Sequence, residues 1–466
     1  MPIIIPANSA ISSGYDVANG VRFDDASSSN FSDGSAPNGN RQKFTWSAWF
    51  KRSSIGATQI LASSSYSGSD QGYLYFNSGN GLGWQSNNSG DGDLNTAMLF
   101  RDTSAWYHVV FSVDTTQSTA TNRIKLYING SQYTWDGSNT TPPNLNQSLY
   151  FNVGGSYNSY IGRRAGGDYF DGYMSEIVFI DNAQLAADSF GEFDSSGIWK
   201  PIESVADLTF GTSGYYLNFQ NSGALGTDVS GVGNSFTANN LAAIDQTTDT
   251  CTNNFATWND LINSNGSTSE ANLKYTTSNS SSNYGFRLSS IGVSSGKWYA
   301  EIKYTSSSNQ ALIGIRSRQP TTPVHYIGYY NDGWGLYVNG KYFNNNVESS
   351  SLGTTYQGDD IIGIYLDCDN NKLYFSKNGA LINSTGISIT APGSTTSGFY
   401  FFGATEWNSS GNGTFELNVG NPSFSVTSSN TDDNGYGNFE YSPNITGDGA
   451  AKKFYALNTK NLAEFG

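Results

Sequence analysis

The sequence predicts an all-β protein: two antiparallel β-sandwich (jelly-roll) domains joined by a strand-containing, Ser/Asn/Gly-rich connection. Three observations predict it. Aromatic residues reach 14% of the 466-residue chain and charged residues only 13%, so burial falls to Tyr, Phe and Trp, which pack well on pleated surfaces. No window sustains a helical period, and short aromatic or β-branched runs alternate with Gly/Ser/Asn turns. Finally, Arg123-Ile-Lys-Leu-Tyr-Ile-Asn-Gly130 and Asn371-Lys-Leu-Tyr-Phe-Ser-Lys-Asn-Gly379 are near copies, each an alternating strand closed by Asn-Gly. That dipeptide suits a tight hairpin because both positions take φ > 0 at little cost. Each copy follows a run with an acidic end, Val109-Val-Phe-Ser-Val-Asp114 and Ile361-Ile-Gly-Ile-Tyr-Leu-Asp367, so one such unit falls in each half of the chain.

Along the chain, residues 1–14 read as an extended arm, because Pro2 and Pro6 oppose helix. The arm is read as either a frayed terminus or a strand that docks on a neighbouring subunit. The first module spans 15–201, with Phe44, Trp46, Ala48 and Phe50 on one face of a strand and Thr45, Ser47 and Trp49 on the other. Residues 202–289 form the connection, with strand-like runs at Gly214–Phe219 and Tyr284–Leu288, since a structureless loop of that length is unusual in a compact domain. The second module spans 290–425 and a C-terminal tail 426–466.

At this point the ordered motifs resemble known families. Val21-Arg-Phe-Asp24, Phe44-Thr-Trp-Ser-Ala-Trp-Phe-Lys51, Trp106-Tyr-His-Val-Val-Phe, Lys125-Leu-Tyr-Ile-Asn-Gly130 and Phe170-Asp-Gly-Tyr-Met-Ser-Glu-Ile177 together resemble a laminin-G or concanavalin-A-like jelly roll. That resemblance implies two packed sheets and a family that often binds glycans. Gly296-Lys-Trp-Tyr-Ala-Glu-Ile302, Ala311-Leu-Ile-Gly-Ile315, Gly358–Asp367, Lys372–Gly379 and Phe415-Glu-Leu-Asn-Val-Gly420 resemble a SPRY domain, an interaction scaffold whose specificity lies in its loops. The start Met1-Pro-Ile-Ile-Ile-Pro-Ala-Asn8, the Asp245–Trp258 segment and the Lys453–Gly466 end resemble virion proteins of marine tailed bacteriophages, with Cys251 standing where that pattern has Pro. The resemblance implies a tail-fibre or head-appendage component on the virion surface, assembled in the host bacterial cytoplasm. Its implied partners are other virion proteins, further copies of itself (a trimer, as in fibres) and a host-surface glycan or protein. The alternatives are a decoration or connector protein without a receptor and, last, a glycan depolymerase.

Composition narrows the chemistry. A net charge of −15 disfavours nucleic acid and anionic membrane surfaces as partners, and no apolar run is long enough to insert in a membrane. The N-terminus lacks the basic region and apolar core of a signal peptide. Cys251 and Cys368 have no metal-site spacing and are expected as free thiols. His108 within a strand and His325 in a loop carry no catalytic motif, and Glu176, Asp181, Glu301, Glu348, Glu406 and Glu416 form no paired carboxylate pattern. The chain is therefore expected not to be an enzyme and to require no cofactor. Calcium is the cation the laminin-G resemblance implies, with Asp24, Asp25 and Asp171 as oxygen ligands and Asp168 close by in sequence. The candidate ligand-binding residues are Trp84, Trp135, Trp334 and Trp407, each beside turn residues and each able to stack on a sugar ring.

Overall fold

A computed structural model describes residues 14–34, 37–66, 70–87, 90–134, 140–155, 157–262, 265–278, 284–305, 310–319, 325–407, 412–446 and 451–466. The arm lies almost wholly outside these residues, as does Trp135. The chain forms two compact units, Ser12–Thr252 and one containing Asn253–Gly466. The connection expected at 202–289 thus divides, its first part packing in the first unit and its second part in the second.

The first unit is a sandwich of two eight-stranded sheets. One sheet is built around the adjacent strands Tyr107–Asp114, Lys43–Arg52 and Gly172–Asp181, and the other around Gln71–Phe76, Gln59–Ser65 and Asn158–Ile161. Phe44, Trp46, Ala48 and Phe50 enter the shared core, as their alternation requires. The opposite face of the same sheet is covered too. Residues from 183 to 229 fold across it and bury Val110, Val178 and Ile180 against Phe190, Val205 and Phe210. There His108 stacks on Trp49 at 4.7 Å, receives the Trp199 indole N–H on Nδ1 (3.0 Å) and meets Ser47 Oγ through Nε2 at 2.9 Å. An acceptor at Nδ1 makes Nε2 the protonated nitrogen, and burial pushes the pKa down to about 3. His108 is a neutral packing residue.

The second unit pairs a nine-stranded with a six-stranded sheet. Lys297–Thr305 and Ile361–Asp367 lie next to each other in the larger sheet, and Phe401–Glu406 is flanked by Gly285–Leu288 and Ala311–Arg316 in the smaller. The residues expected as a tail are packed: Phe439, Phe454, Leu457 and Leu462 belong to the main core. The chain ends on the α-helix Thr459–Phe465, where the Asn458 side chain accepts from the Asn461 N–H at 2.9 Å.

Both Asn-Gly hairpins form, with φ of 47° and 80° at Asn129 and Gly130 and of 47° and 79° at Asn378 and Gly379. Their likeness extends to the next strand. Asn129 Oδ1 accepts from His108 N at 2.8 Å, and Asn378 Oδ1 accepts from Ile361 N at 2.9 Å, so each turn asparagine also secures the start of the neighbouring strand. An aromatic ring then covers each glycine, Trp199 in the first unit and Tyr441 in the second.

Buried ionic groups fasten the later segments to each sandwich. Lys51 and Asp249 form an ion pair with side chains 1% and 0% exposed; the Trp106 indole N–H donates to Asp249 at 3.0 Å, and the ammonium lies 4.5 Å from the Tyr173 ring centre. Glu176 sits at a bulge in Gly172–Asp181 with φ 51°, where the hydroxyls of Tyr216 and Tyr15 donate to it. Burial pushes its pKa up to about 7. In the second unit Glu301 is fully buried and accepts from Glu440 N, Tyr441 N, Asn418 Nδ2 and Tyr299 Oη at 2.7–3.1 Å. Burial again outweighs these donors and holds its pKa at about 7.

Lys51→Met should destabilise the protein by about 3–5 kcal/mol in denaturant unfolding, because it strands the buried Asp249 carboxylate, and adding Asp249→Leu should recover most of the loss. Glu176 and Glu301 hold protons in the folded state that an unfolded chain releases above about pH 4.5. Their contribution is complete below that pH and is lost as pH rises through about 7. The melting temperature should therefore fall from pH 5 to pH 8, by up to about 1.4 kcal/mol of stability per pH unit for each proton, and Glu176→Gln should flatten that fall.

Candidate functional site

The site begins with three glycines. In the strand Ala311–Arg316, Ala311, Ile313 and Ile315 face the main core, so Leu312, Gly314 and Arg316 face outward. Gly314 pairs with Gly335 on one neighbouring strand and Gly403 on the other, leaving a bare stripe on the outer face of the smaller sheet. Ile327 lies against this stripe. A Cβ on Gly335 would stand 2.7 Å from the Ile327 carbonyl oxygen, and one on Gly403 would stand 2.8 Å from Ile327 Cδ1. Ile327 is fully buried there among Phe286, Leu288 and Phe401.

With Ile327 inserted, its neighbours are held at the surface. Ring centres run from Trp407 to Tyr284 (5.5 Å), Tyr326 (5.4 Å), Tyr329 (5.6 Å) and Tyr330 (5.0 Å). Trp407 is 43% exposed and the four tyrosines are half-buried. His325 stacks on Tyr329 at 3.8 Å, nearly parallel, and Tyr326 Oη lies 2.5 Å from Asn346 Oδ1. Burial, then the neighbouring Tyr326, pushes the Tyr284 phenol up to about 12, so this rung is uncharged at neutral pH. Desolvation, then Arg316, holds His325 below its ordinary value. The last ring, Tyr330, lies beside two cations, with guanidinium carbons of Arg318 and Arg316 at 4.5 and 5.3 Å from its centre. A run of accessible ring faces ending at charged donors is the chemistry that recognises a ligand with apolar faces and polar edges.

Of the tryptophans expected at a ligand, Trp407 heads this ladder. Trp84 and Trp334 do not present a face to solvent: they are 0% and 5% exposed and belong to the two main cores, Trp84 beside Phe111 and Trp334 beside Tyr400. Adjacent turn residues marked where their strands end, not which way the rings point. The tyrosines of His325-Tyr-Ile-Gly-Tyr-Tyr330 were missed; the signal was an aromatic run in a loop with no strand alternation. In the first unit, Asp24, Asp25 and Asp171 each bring a carboxylate oxygen to within 4.8 Å of the others. Desolvation, then the Asp24 charge, holds the exposed Asp25 carboxyl above its ordinary value. Asp168 is engaged elsewhere, in an ion pair with Arg164.

Residues 23–188 match the concanavalin A-like lectin/glucanase superfamily, in its Laminin_G_3 branch, and residues 297–418 match the SPRY domain family. The chain therefore carries one domain of each kind, both of binding type. No curated protein matches it. Among solved structures, the SPRY domain of human HERC1 is 17% identical over 34% of this chain and 96% of its own, with a TM-score of 0.29. The TRIM65 PSpry domain is 14% identical over 35% and 91%, with a TM-score of 0.28. A heptameric SAP-like pentraxin from Limulus polyphemus is 18% identical over 37% and 80%, with a TM-score of 0.27.

Gly335→Val should lift the Ile327 loop off the sheet while leaving the cores intact. The expected outcome is faster amide exchange and proteolysis at residues 325–330 with near-wild-type protection in Lys297–Thr305.

Proposed function

We propose that this protein is a non-catalytic binding protein that displays its two sandwiches at a virion surface, as a tail-fibre or head-appendage component, to attach to a host-surface glycan. The observation that carries the binding part is the Trp407–Tyr330 ladder, a row of one exposed and four half-buried rings on a domain of binding type. Sugar rings present C–H faces to such rings and hydroxyls to the polar groups beside them. The virion part is supported by the phage-like segments in the sequence, and a negative body is suited to staying soluble until assembly.

The first sandwich supports a calcium ion in this reading. Asp24 and Asp171 are buried and Asp25 is exposed, and three close carboxylates form the hard-oxygen set that calcium prefers. A bound cation would relieve the repulsion that raises Asp25 and would hold the turn after Val21–Phe23 in place.

Purified protein should adsorb to host cells and block infection, and Trp407→Ala should weaken adsorption at least tenfold without lowering the melting temperature. Cryo-EM of the intact particle checks the location. Copies bound at capsid lattice positions, with no adsorption by the free protein, would make it a decoration protein instead. For calcium, a chelator should lower the melting temperature by several degrees and Asp171→Asn should abolish that response; an unmoved transition rejects the ion.

A further inference from the structure

We infer that the ladder ends in an oxyanion subsite built on Arg316, so that the glycan it takes is an acidic one, bearing carboxylate or sulfate groups. This rests on the glycan-binding reading above and narrows it.

Arg316 is 1% exposed, and its guanidinium packs against Phe286 (4.8 Å) and Tyr330 (5.3 Å). Among the described residues only Nη1 has an acceptor, the His325 carbonyl oxygen at 2.8 Å, and Nε and Nη2 have none. Those two N–H groups form one edge of the planar fork, the edge that meets both oxygens of a carboxylate or sulfate in parallel hydrogen bonds. Burial pushes the Arg316 pKa down to about 10, which leaves the group charged at neutral pH. A buried cation with two unmet donors is costly, and an oxyanion offset by a second cation is the complement that removes the cost.

The second cation is present. Arg318 lies across Tyr330 and within 3.7 Å of Asp332 Oδ2. Asp332 opposes an anion, but its charge is shared: Oδ2 also accepts from Thr396 Oγ1, and the carboxylate acts electrostatically on Arg316 as well as pairing with Arg318. Asp332 Oδ1 has no donor among the described residues and suits a sugar hydroxyl next to the anionic group. The local balance is one positive charge, in a chain whose net charge is −15. The Arg316 edge is closed to solvent, so the ligand enters by turning aside the half-buried Tyr330 ring, the last rung of the ladder.

The test compares one oligosaccharide in three forms on the full-length protein: oligogalacturonate, its methyl ester, and a sulfated oligosaccharide of the same length. Calorimetry at low and physiological salt should show the acid or the sulfate bound at least tenfold more tightly than the ester, with a preference that shrinks as salt rises. Preference for the acid alone identifies a carboxylate ligand, and for the sulfate alone a sulfated one. Arg316→Gln should abolish the preference while retaining binding of the ester. Should that variant fold poorly, Arg318→Ala, at a partly exposed residue, should reduce the preference several-fold. Equal binding of all three forms overturns the oxyanion subsite and leaves the glycan reading standing; binding of none overturns both.

Discussion

Ionisable groups without access to water dictate how each unit is closed. A charge buried in a sandwich must be met by donors or by an opposite charge, and in this chain many of those partners come from segments that follow the sandwich in sequence. Asp249 meets Lys51, and Tyr216 meets Glu176. In the second unit the backbone N–H groups of Glu440 and Tyr441 meet Glu301. Release of any of these segments would leave a buried group unpaired, so segments with the composition of linkers behave as parts of the fold. Low charge density makes this possible, because few ionisable groups compete for the interior.

The strands were legible in the sequence because alternation and Asn-Gly turns are local signals. Phe44 to Phe50 showed which face meets the main core, though not that the other face is covered as well, and the two Asn-Gly pairs showed where the chain reverses. The structure adds that the two hairpins share a second contact, the asparagine side chain on the next strand, which gives a further reason for Asn at that turn position. The extent of each unit was less legible. Residues 202–252 and 426–466 are rich in Ser, Asn and Gly, and what fixes them is pairing with residues far away in sequence, such as Lys51 and Glu301. No local pattern records a partner 139 to 198 residues distant.

The candidate sites divide along the same line. The three aspartates were grouped by the resemblance, and the fold brings them together because Val21–Phe23 pairs with Gly172–Met174, placing Asp24 and Asp171 at adjoining strand ends. Trp84 and Trp334 were chosen by the turn residues beside them, yet a ring at a strand end points inward or outward by parity, and both point inward. Trp407 follows Glu406 at the end of a strand, outside the core-facing set of Phe402 and Ala404. The tyrosine ladder is a tertiary feature. It needs Gly314, Gly335 and Gly403 to align across three strands, and only the register shows that they do.

That alignment also decides how well the ladder can bind. Exposed rings on a free loop would have to be ordered by the ligand, at a cost of about 0.5–1.5 kcal/mol for each immobilised side chain. Here Ile327 is fixed in the glycine groove, Tyr326 is tied to Asn346, and Tyr329 is clamped by the neutral His325. Tyr326 and Tyr329 are thereby placed before a ligand arrives, while the half-exposed faces keep the apolar area in contact with water small. Side chains on the stripe would fill the groove and force the loop outward, and the rings would then lose both their order and their spacing. The glycines, which lie beneath the loop and not beside the ring faces, therefore set the order of the aromatic residues proposed to bind.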